Sequence, residues 1–276
     1  MAKGERLDLE RMIPYVCGAA LEAGERILEI YETDFNVELK EDKSPLTKAD
    51  RASHEVIKKA LKRYPIPVLS EEGRSVPYEE RRAWDRLWIV DPLDGTKEFI
   101  KRNGEFTVNI ALVEQGRPIL GVIHVPVKQT SYFAAAGVGS WKVEQITREM
   151  TFSGLTALKA SGVRLPHFQK TSRPYTVMGS RSHPTPELEA YITRKKEEHP
   201  GLVFISAGSS LKFCLVAEGD ADMYPRLGPT MEWDTAAGQA VVEQAGGRVV
   251  LADDETPLSY NRENLLNPHF IVFGAT

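Results

Sequence analysis

The sequence lacks the features that mark secreted and membrane-spanning proteins. It has two cysteines, Cys17 and Cys214, in 276 residues, too few for a disulfide framework or a cysteine-based metal site. Both lie in apolar runs of helical appearance, so we expect buried thiols in a reducing cytoplasm. No apolar run approaches the length of a membrane span, and the charged N-terminus shows no signal-peptide core. Peripheral association with the inner membrane stays open.

An excess of positive charge is also absent. The chain carries 35 Lys and Arg against 39 Asp and Glu, a net charge of −4, so we expect no nucleic acid polymer as a partner. A small anionic ligand would need a local basic pocket or metal ions. The hydrophobic fraction of 42% supports a sizeable core in one large domain or two smaller ones.

Hydrophobic spacing predicts a mixed α and β protein in two parts. It predicts a long helix over Leu9–Tyr31, a second helix over 48–63, and several strands between 68 and 144. After the weakly patterned stretch 151–173, strands and helices alternate, which is typical of an α/β layer. We therefore predict an N-terminal α+β domain over 1–160 and a C-terminal α/β domain over 161–276.

Residues 88–96, WIVDPLDGT, form the most informative motif. Three apolar residues lead into two carboxylates, which predicts a buried strand ending at Asp91, a tight turn over Pro92 and a helix capped by Asp94. Gly95 would let a ligand approach the backbone closely. A helix N-terminus suits a phosphate, and adjacent carboxylates suit Mg²⁺. Taken alone, such a run is more often a turn with a helix cap.

Three further acidic features accompany this motif. Glu71 and Glu72 follow a short strand, where a solvated acidic loop is the alternative. Asp234 starts an apolar helix in the run WDTAAG, as an N-cap would, and close helix packing is one reason for the small residues after it. Thr47 and Asp50 have the spacing of a capping box; the functional alternative is a pair that orients a water molecule.

Taken together, these segments resemble the inositol monophosphatase superfamily of Mg²⁺-dependent, lithium-sensitive phosphatases. The order and intervals agree over nearly the whole chain. Within that superfamily the sequence is most similar to the bacterial 3′(2′),5′-bisphosphate nucleotidases, which dephosphorylate adenosine 3′,5′-bisphosphate (PAP) in sulfate assimilation. The runs that carry this closer resemblance are DPLDGTKEF (91–99), GSRSH (179–183), GSSLKFC (208–214) and AEGDADMYPR (217–226).

The resemblance implies a fold of the α+β and α/β class, a layered α-β-α-β-α sandwich, with the active site between its two domains. It also implies two Mg²⁺ ions and leaves a third open. Glu71, Asp91 and the Leu93 carbonyl would hold the first ion. Asp91, Asp94 and Asp234 would hold the second, with Asp91 bridging.

Roles in catalysis follow from the same resemblance. Glu72, Thr96 and Asp50 would orient or deprotonate the attacking water, with Thr47 close by. The backbone N–H groups of Gly95 and Thr96 would bind the scissile phosphate.

Recognition of the nucleotide is assigned to a separate set, again by resemblance. His183, Ser209, Lys212 and Arg226 would lie near the second phosphate or the nucleoside, since Lys and Arg suit a dianionic phosphate. Each has a structural alternative: a turn shaped by His183 before a proline, a solvated Lys212, and an Arg226 paired with a surface acid.

We therefore expect hydrolysis of the 3′-phosphate of PAP to AMP and phosphate, with PAPS as a related substrate. The partner would be this small nucleotide, and the protein a monomer or a homodimer. An inositol monophosphatase or fructose-1,6-bisphosphatase on the same scaffold is the first alternative, because pocket loops set the substrate range of this superfamily. A non-catalytic protein that binds a metal or a phosphorylated ligand is the second.

Overall fold

The structure, a computed structural model, describes residues 7–33, 37–39, 45–167, 173–180 and 185–276. The side chains of 37–39, 45–47 and 180 lie outside this description. The predicted contacts of His183 and of the Thr47 side chain therefore fall outside the described residues, and both stay predictions.

The helices and strands expected from the hydrophobic spacing are present in that order, together with short elements that the spacing did not predict. The helices are α1 (Leu9–Tyr31), α2 (Lys48–Leu61), α3 (Tyr78–Arg81), α4 (Thr96–Ile100), α5 (Arg148–Phe152), α6 (Leu155–Ala160), α7 (Pro186–Glu198), α8 (Leu211–Glu218) and α9 (Glu232–Gln244), with a 3₁₀ turn η1 (Pro126–Lys128). The strands are β1 (Val37–Leu39), β2 (Pro45–Thr47), β3 (Val68–Ser70), β4 (Arg86–Asp94), β5 (Thr107–Glu114), β6 (Arg117–Val125), β7 (Thr130–Ala135), β8 (Gly139–Val143), β9 (Val163–Arg164), β10 (Thr176–Ser180), β11 (Val203–Ala207), β12 (Met223–Arg226), β13 (Arg248–Leu251) and β14 (Phe270–Phe273). The elements that the spacing did not predict include β1, β2, α3, α5, α6 and β9.

Within the described ranges, these strands form two large mixed sheets and a small antiparallel pair, β1-β2. The seven-stranded sheet has the order β3-β4-β5-β6-β7-β8-β9, parallel only between β3 and β4. The five-stranded sheet has the order β11-β10-β12-β14-β13. Its first three strands are parallel, and the others pair antiparallel.

Helices lie on both faces of each large sheet. Helices α1 and α2 pack on one face of the seven-stranded sheet, and α9 packs on the other. Helix α8 lies beside α9 and contacts the five-stranded sheet, while α7 buries Leu188 and Ile192 against that sheet's outer face. The resulting α-β-α-β-α order confirms the predicted layered sandwich.

Small residues let α9 approach the seven-stranded sheet and α8 very closely. A Cβ at Gly121 would lie 2.6 Å from the Ala237 carbonyl oxygen and 2.7 Å from the Ala240 Cβ. A Cβ at Gly238 would lie 2.4 Å from the Phe213 ring. Helix packing therefore explains the run of small residues near the start of α9.

We expect Gly121→Ala to lower the free energy of unfolding by about 1–3 kcal/mol, because the added methyl group must displace the α9 backbone. Urea unfolding would measure the loss as a lower midpoint at unchanged slope. Gly228→Ala is a matched control, since a Cβ there would lie 3.6 Å from Thr185 Cγ2, an ordinary contact. Equal stability changes in the two variants would contradict this packing argument.

Two predicted helix caps are wrong. Strand β4 does not end at Asp91 but continues to Asp94 through an irregularity in its pairing with β5. The N-cap of α4 is Gly95, which adopts a left-handed conformation at φ 94° that favours glycine. Asp234 is also not an N-cap: α9 begins two residues earlier, and Asp234 Oδ2 accepts a hydrogen bond from the Met231 N–H at 2.8 Å.

Strand β9 belongs to the seven-stranded sheet, although it follows the predicted domain boundary between residues 160 and 161. The division into two domains stays a prediction. Cys17 and Cys214 are both fully buried, as expected, and burial raises the pKa of both thiols. None of the helices in the described ranges is long and apolar enough to traverse a lipid bilayer.

Candidate active site

Three carboxylates from distant parts of the chain meet between the sheets. Glu71 directly follows β3, Asp91 lies on β4, and Asp234 lies in the first turn of α9. One carboxylate oxygen from each lies within 4.8 Å of the other two. Strands β3 and β4 are parallel neighbours, and the Glu71 N–H donates to the Val90 carbonyl, so the sheet itself brings the first two acids together.

Helix α2 holds both acid-bearing segments in place. The Ser53 hydroxyl donates to the Pro92 carbonyl at 2.6 Å, which fixes the irregular part of β4 between Asp91 and Asp94. The next residue of the helix, His54, is joined through Nδ1 to the hydroxyl of Ser70, the residue before Glu71, by a 3.0 Å hydrogen bond. Through these two hydrogen bonds, α2 holds the segments that carry Asp91 and Glu71 in fixed positions.

The same helix carries Asp50, which is 1% exposed. The Thr96 hydroxyl at the start of α4 donates to Asp50 Oδ2 at 3.4 Å. Glu72 is half-buried beside Glu71. Burial lowers the pKa of His54, and the Glu72 carboxylate acts in the opposite direction. The predicted water-orienting residues thus border the acidic cluster from the α2 side.

Asp94 lies next to the three clustered carboxylates and has its own hydrogen-bond partners. Asn109 Nδ2 donates to Asp94 Oδ2 at 3.3 Å, and the Thr107 hydroxyl lies 3.5 Å from the same oxygen. The Ser210 backbone N–H also donates to this carboxylate. Asp94 is therefore held from both β5 and the start of α8.

The four acids repel one another in a site where Asp91 is buried and the other three are partly buried. Burial raises the pKa of Asp91 well above its ordinary value, and the nearby Glu71, Asp94 and Asp234 carboxylates raise it further. Burial also raises the pKa of Asp94 to about 6 and, with help from Asp94, that of Asp234 to about 8. An oxygen-only donor set with this excess of negative charge fits a hard divalent cation.

A cavity of about 320 Å³ opens beside these acids. Its wall includes most of the residues predicted to bind substrate or metal: Glu71, Asp94, Gly95, Thr96, Ser209, Lys212, Arg226 and Asp234. The buried Asp91 carboxylate belongs to the adjoining cluster. Leu93 buries its side chain in the core and donates its N–H to Asp91 Oδ1 at 3.1 Å. Its carbonyl as a metal ligand stays a prediction.

Lys212 is buried rather than solvated. Its ammonium donates to the Ser209 carbonyl at 2.5 Å and the Ala207 carbonyl at 3.3 Å, and it lies 5.3 Å from the Tyr224 ring centroid. Burial lowers the pKa of Lys212 to about 8, while Asp94 acts to raise it. The cation is thus fixed near the acids at the cavity wall.

Arg226 provides a second buried cation on the same wall. One Nη donates to the Pro229 carbonyl at 2.7 Å, and Arg226 forms no ion pair with an acid among the described residues. Arg226 Nε is buried and has no hydrogen-bond partner within the part of the chain that the structure describes. A buried guanidinium with an unused donor beside a cavity suits an anionic ligand.

Sequence reasoning missed several residues that shape this site. Tyr224 lines the cavity together with both cations, and its ring centroid lies 5.3 Å from Lys212 Nζ. Asn109 and Ser53 hold the acidic segments from the sides. A polar residue in the otherwise apolar run VNIALV of β5 was the one signal that could have pointed to Asn109.

Comparisons with known proteins agree with this arrangement. The inositol monophosphatase family model matches residues 8–271. The 3′(2′),5′-bisphosphate nucleotidase CysQ of Salmonella typhimurium is 47% identical over 266 residues, which is 95% of this chain and 99% of that protein.

Solved structures give the same result. The crystal structure of CysQ from Bacteroides thetaiotaomicron, described as a bacterial member of the inositol monophosphatase family, superposes with a TM-score of 0.89 at 50% identity. The superposition covers 98% of this chain and 100% of the CysQ chain. An inositol monophosphatase from Anabaena shares the fold, with a TM-score of 0.68 at 24% identity over 98% of this chain and 92% of that chain. The chain belongs to the inositol monophosphatase family.

Proposed function

We propose that this protein is a Mg²⁺-dependent 3′(2′),5′-bisphosphate nucleotidase that hydrolyses the 3′-phosphate of PAP to AMP and phosphate, with PAPS as a related substrate. One observation carries the proposal: the acidic cluster and two buried cations, Lys212 and Arg226, face the same cavity. Acids that suit metal ions and cations that suit a second phosphate, lining one cavity, match a substrate with two phosphates. The names of the CysQ relatives support this choice.

Enzymes of this family use metal ions, and the donors here fit them. Glu71, Asp91 and the Leu93 carbonyl would hold one Mg²⁺, and Asp91, Asp94 and Asp234 would hold a second. A third ion stays open. Bound Mg²⁺ lowers the pKa of water and offsets the charge that develops on the phosphoryl oxygens.

The residues beside α2 would prepare the attacking water. The Thr96 hydroxyl directs its hydrogen to Asp50, so its oxygen is left to accept a hydrogen bond from water. Glu72 would take the proton that the water loses. Thr47, which directly precedes α2, would complete this set.

The phosphate ends of the substrate would be bound separately. The Gly95 and Thr96 N–H groups at the start of α4 would bind the scissile phosphate. Lys212 and Arg226 would bind the other phosphate, with Ser209 and His183 near the nucleoside. The water oxygen forms a new bond to phosphorus, the bond from phosphorus to O3′ breaks, and O3′ gains a proton to give the product hydroxyl.

A metal-free sample should lose stability as the pH rises from about 4 to 8. The folded-state pKa of Asp94 is raised to about 6 and that of Asp234 to about 8. Because the folded state then binds more protons than the unfolded state, its stability falls across this window. Mg²⁺ should offset the repulsion, so it should raise Tm more at pH 8 than at pH 5. Equal Mg²⁺-induced shifts in Tm at both pH values would contradict the prediction.

Phosphate release tests the proposal directly. PAP, inositol 1-phosphate and fructose 1,6-bisphosphate are compared at equal concentration with Mg²⁺ and with EDTA. We expect Mg²⁺-dependent release with a strong preference for PAP. Preference for either other substrate would keep the metal mechanism and reject the nucleotide pocket. Binding of Mg²⁺ or nucleotide without any release would favour the non-catalytic alternative.

A further inference from the structure

Three fully buried polar side chains connect Asp94 to the start of α8. The Ser210 hydroxyl donates to Asn109 Oδ1 at 2.8 Å, and it lies 2.8 Å from the Thr107 hydroxyl. Thr107 is 0% exposed, and Asn109 and Ser210 are each 1% exposed. We call Thr107, Asn109 and Ser210 the polar triad.

The triad fixes Asn109 from both ends of its amide. Its Nδ2 donates to Asp94 Oδ2 at 3.3 Å, and its Oδ1 accepts from Ser210. If the amide were turned over, its oxygen would face the Asp94 carboxylate and repel it. The Ser210 hydroxyl therefore keeps Asn109 in the orientation that donates to Asp94.

Core packing alone does not explain why the polar triad is buried. On β5 the alternate residues Ala111 and Val113 face the core around α9, and by the two-residue period of a strand Thr107 and Asn109 point to that side. Burying an amide and two hydroxyls among such apolar residues is unfavourable unless each is hydrogen-bonded. Apolar side chains would fill this space with less difficulty, so the polar atoms point to a role at Asp94.

We propose that Ser210 is a positioning residue of the metal site: it orients Asp94 through Asn109, and the Thr107 hydroxyl, which donates to the Ser210 oxygen, holds Ser210 in place. The proposal rests on the proposed function, because it takes Asp94 as a metal ligand. Partners that orient a ligating carboxylate commonly change metal affinity when they are removed. Ser210 directly precedes α8, the helix that carries Lys212. The same residue thus links the metal ligand to the nucleotide-binding cation.

The experiment measures Mg²⁺ binding to the metal-free protein by isothermal titration calorimetry. Ser210→Ala removes one hydroxyl, and Thr107→Val removes another without changing side-chain shape. Thr107→Ser keeps the hydroxyl and loses only the methyl group. We expect Ser210→Ala and Thr107→Val to bind Mg²⁺ roughly 10-fold more weakly, while Thr107→Ser binds like the wild type.

Ser131→Ala is the matched control. Ser131 is also fully buried, and it is hydrogen-bonded to His124 at 2.9 Å on a different part of the sheet. This variant should retain the wild-type Mg²⁺ affinity even if its Tm falls. In Ser210→Ala, by contrast, raising the Mg²⁺ concentration should restore most of kcat, which a merely structural defect would not allow.

Asp94→Asn separates the two ways in which the proposal fails. If Asp94→Asn binds Mg²⁺ as the wild type does, Asp94 is not a ligand, and both its role in the proposed function and the role of the triad are rejected. If Asp94→Asn binds weakly but Ser210→Ala and Thr107→Val bind normally, only the positioning role is rejected. A loss in Thr107→Ser equal to that in Thr107→Val would assign the effect to packing and also reject it.

Discussion

Replacement of Asp91 by asparagine should abolish Mg²⁺-dependent phosphate release and leave the fold intact. Asp91 is buried, lies close to Glu71 and Asp234, and would bridge the two proposed Mg²⁺ sites. We expect kcat to fall roughly 1,000-fold or more, since removing a single charge-stabilising donor already costs about 100- to 1,000-fold in other enzymes. Steady-state phosphate release at saturating Mg²⁺ would measure this loss.

The Asp91→Asn variant should lose activity without losing stability. Because its neighbours raise the pKa of Asp91, the uncharged amide removes repulsion, and metal-free Asp91→Asn should be at least as stable as the wild type at pH 8. Asp222→Asn is a matched control: Asp222 is buried, pairs with Arg173 at 2.5 Å and accepts from the Thr176 N–H at 2.7 Å. It should lose about 1–3 kcal/mol of stability and keep its Mg²⁺-dependent turnover. Retained turnover in Asp91→Asn would refute the bridging role.

Much of the fold could be predicted from the sequence because its signals are local. The bounds predicted for the first helix, Leu9–Tyr31, agree with α1, and the alternation of strands and helices after residue 173 predicted the second sheet. Apolar periodicity reports which face of an element is buried, and turn residues report where it ends. The four acidic segments were found in the same way, because each follows or begins such an element.

The error at Asp94 has a cause that no local pattern reveals, whereas the error at Asp234 is a two-residue shift of the helix start, with a local hydrogen bond to the Met231 N–H. Asp94 has the sequence features of an N-cap, but its carboxylate is held by Asn109 and by the Ser210 N–H. Asn109 and Ser210 are 101 residues apart, so no local pattern could pair them. The burial of Lys212 likewise depends on Tyr224, contributed by another strand. The sequence therefore predicted the types of most elements but not the contacts between residues that are far apart in the chain.

Removal of the Lys212 ammonium should lower the hydrolysis of PAP much more than the hydrolysis of substrates that lack a second phosphate. Lys212 lies on the cavity wall near both Asp94 and Arg226, where it would contact the second phosphate of PAP. A charge-assisted hydrogen bond contributes about 1.5–3 kcal/mol, so Lys212→Ala should lower kcat/KM for PAP roughly 10- to 100-fold. Inositol 1-phosphate and 3′-AMP, which lack that phosphate, should be affected far less.

The substrate comparison serves as the internal control for this variant. Lys212→Met retains most of the buried aliphatic stem, so it should reproduce the loss of selectivity with less effect on packing around Tyr224. If both variants lose kcat/KM equally for PAP, 3′-AMP and inositol 1-phosphate, Lys212 acts on the metal site through Asp94 rather than on the nucleotide. In that case Arg226 would have to bind the second phosphate, because its buried Nε lacks a hydrogen-bond partner among the described residues. Arg226→Met, rather than a Lys212 variant, would then lower kcat/KM for PAP more than for 3′-AMP and inositol 1-phosphate.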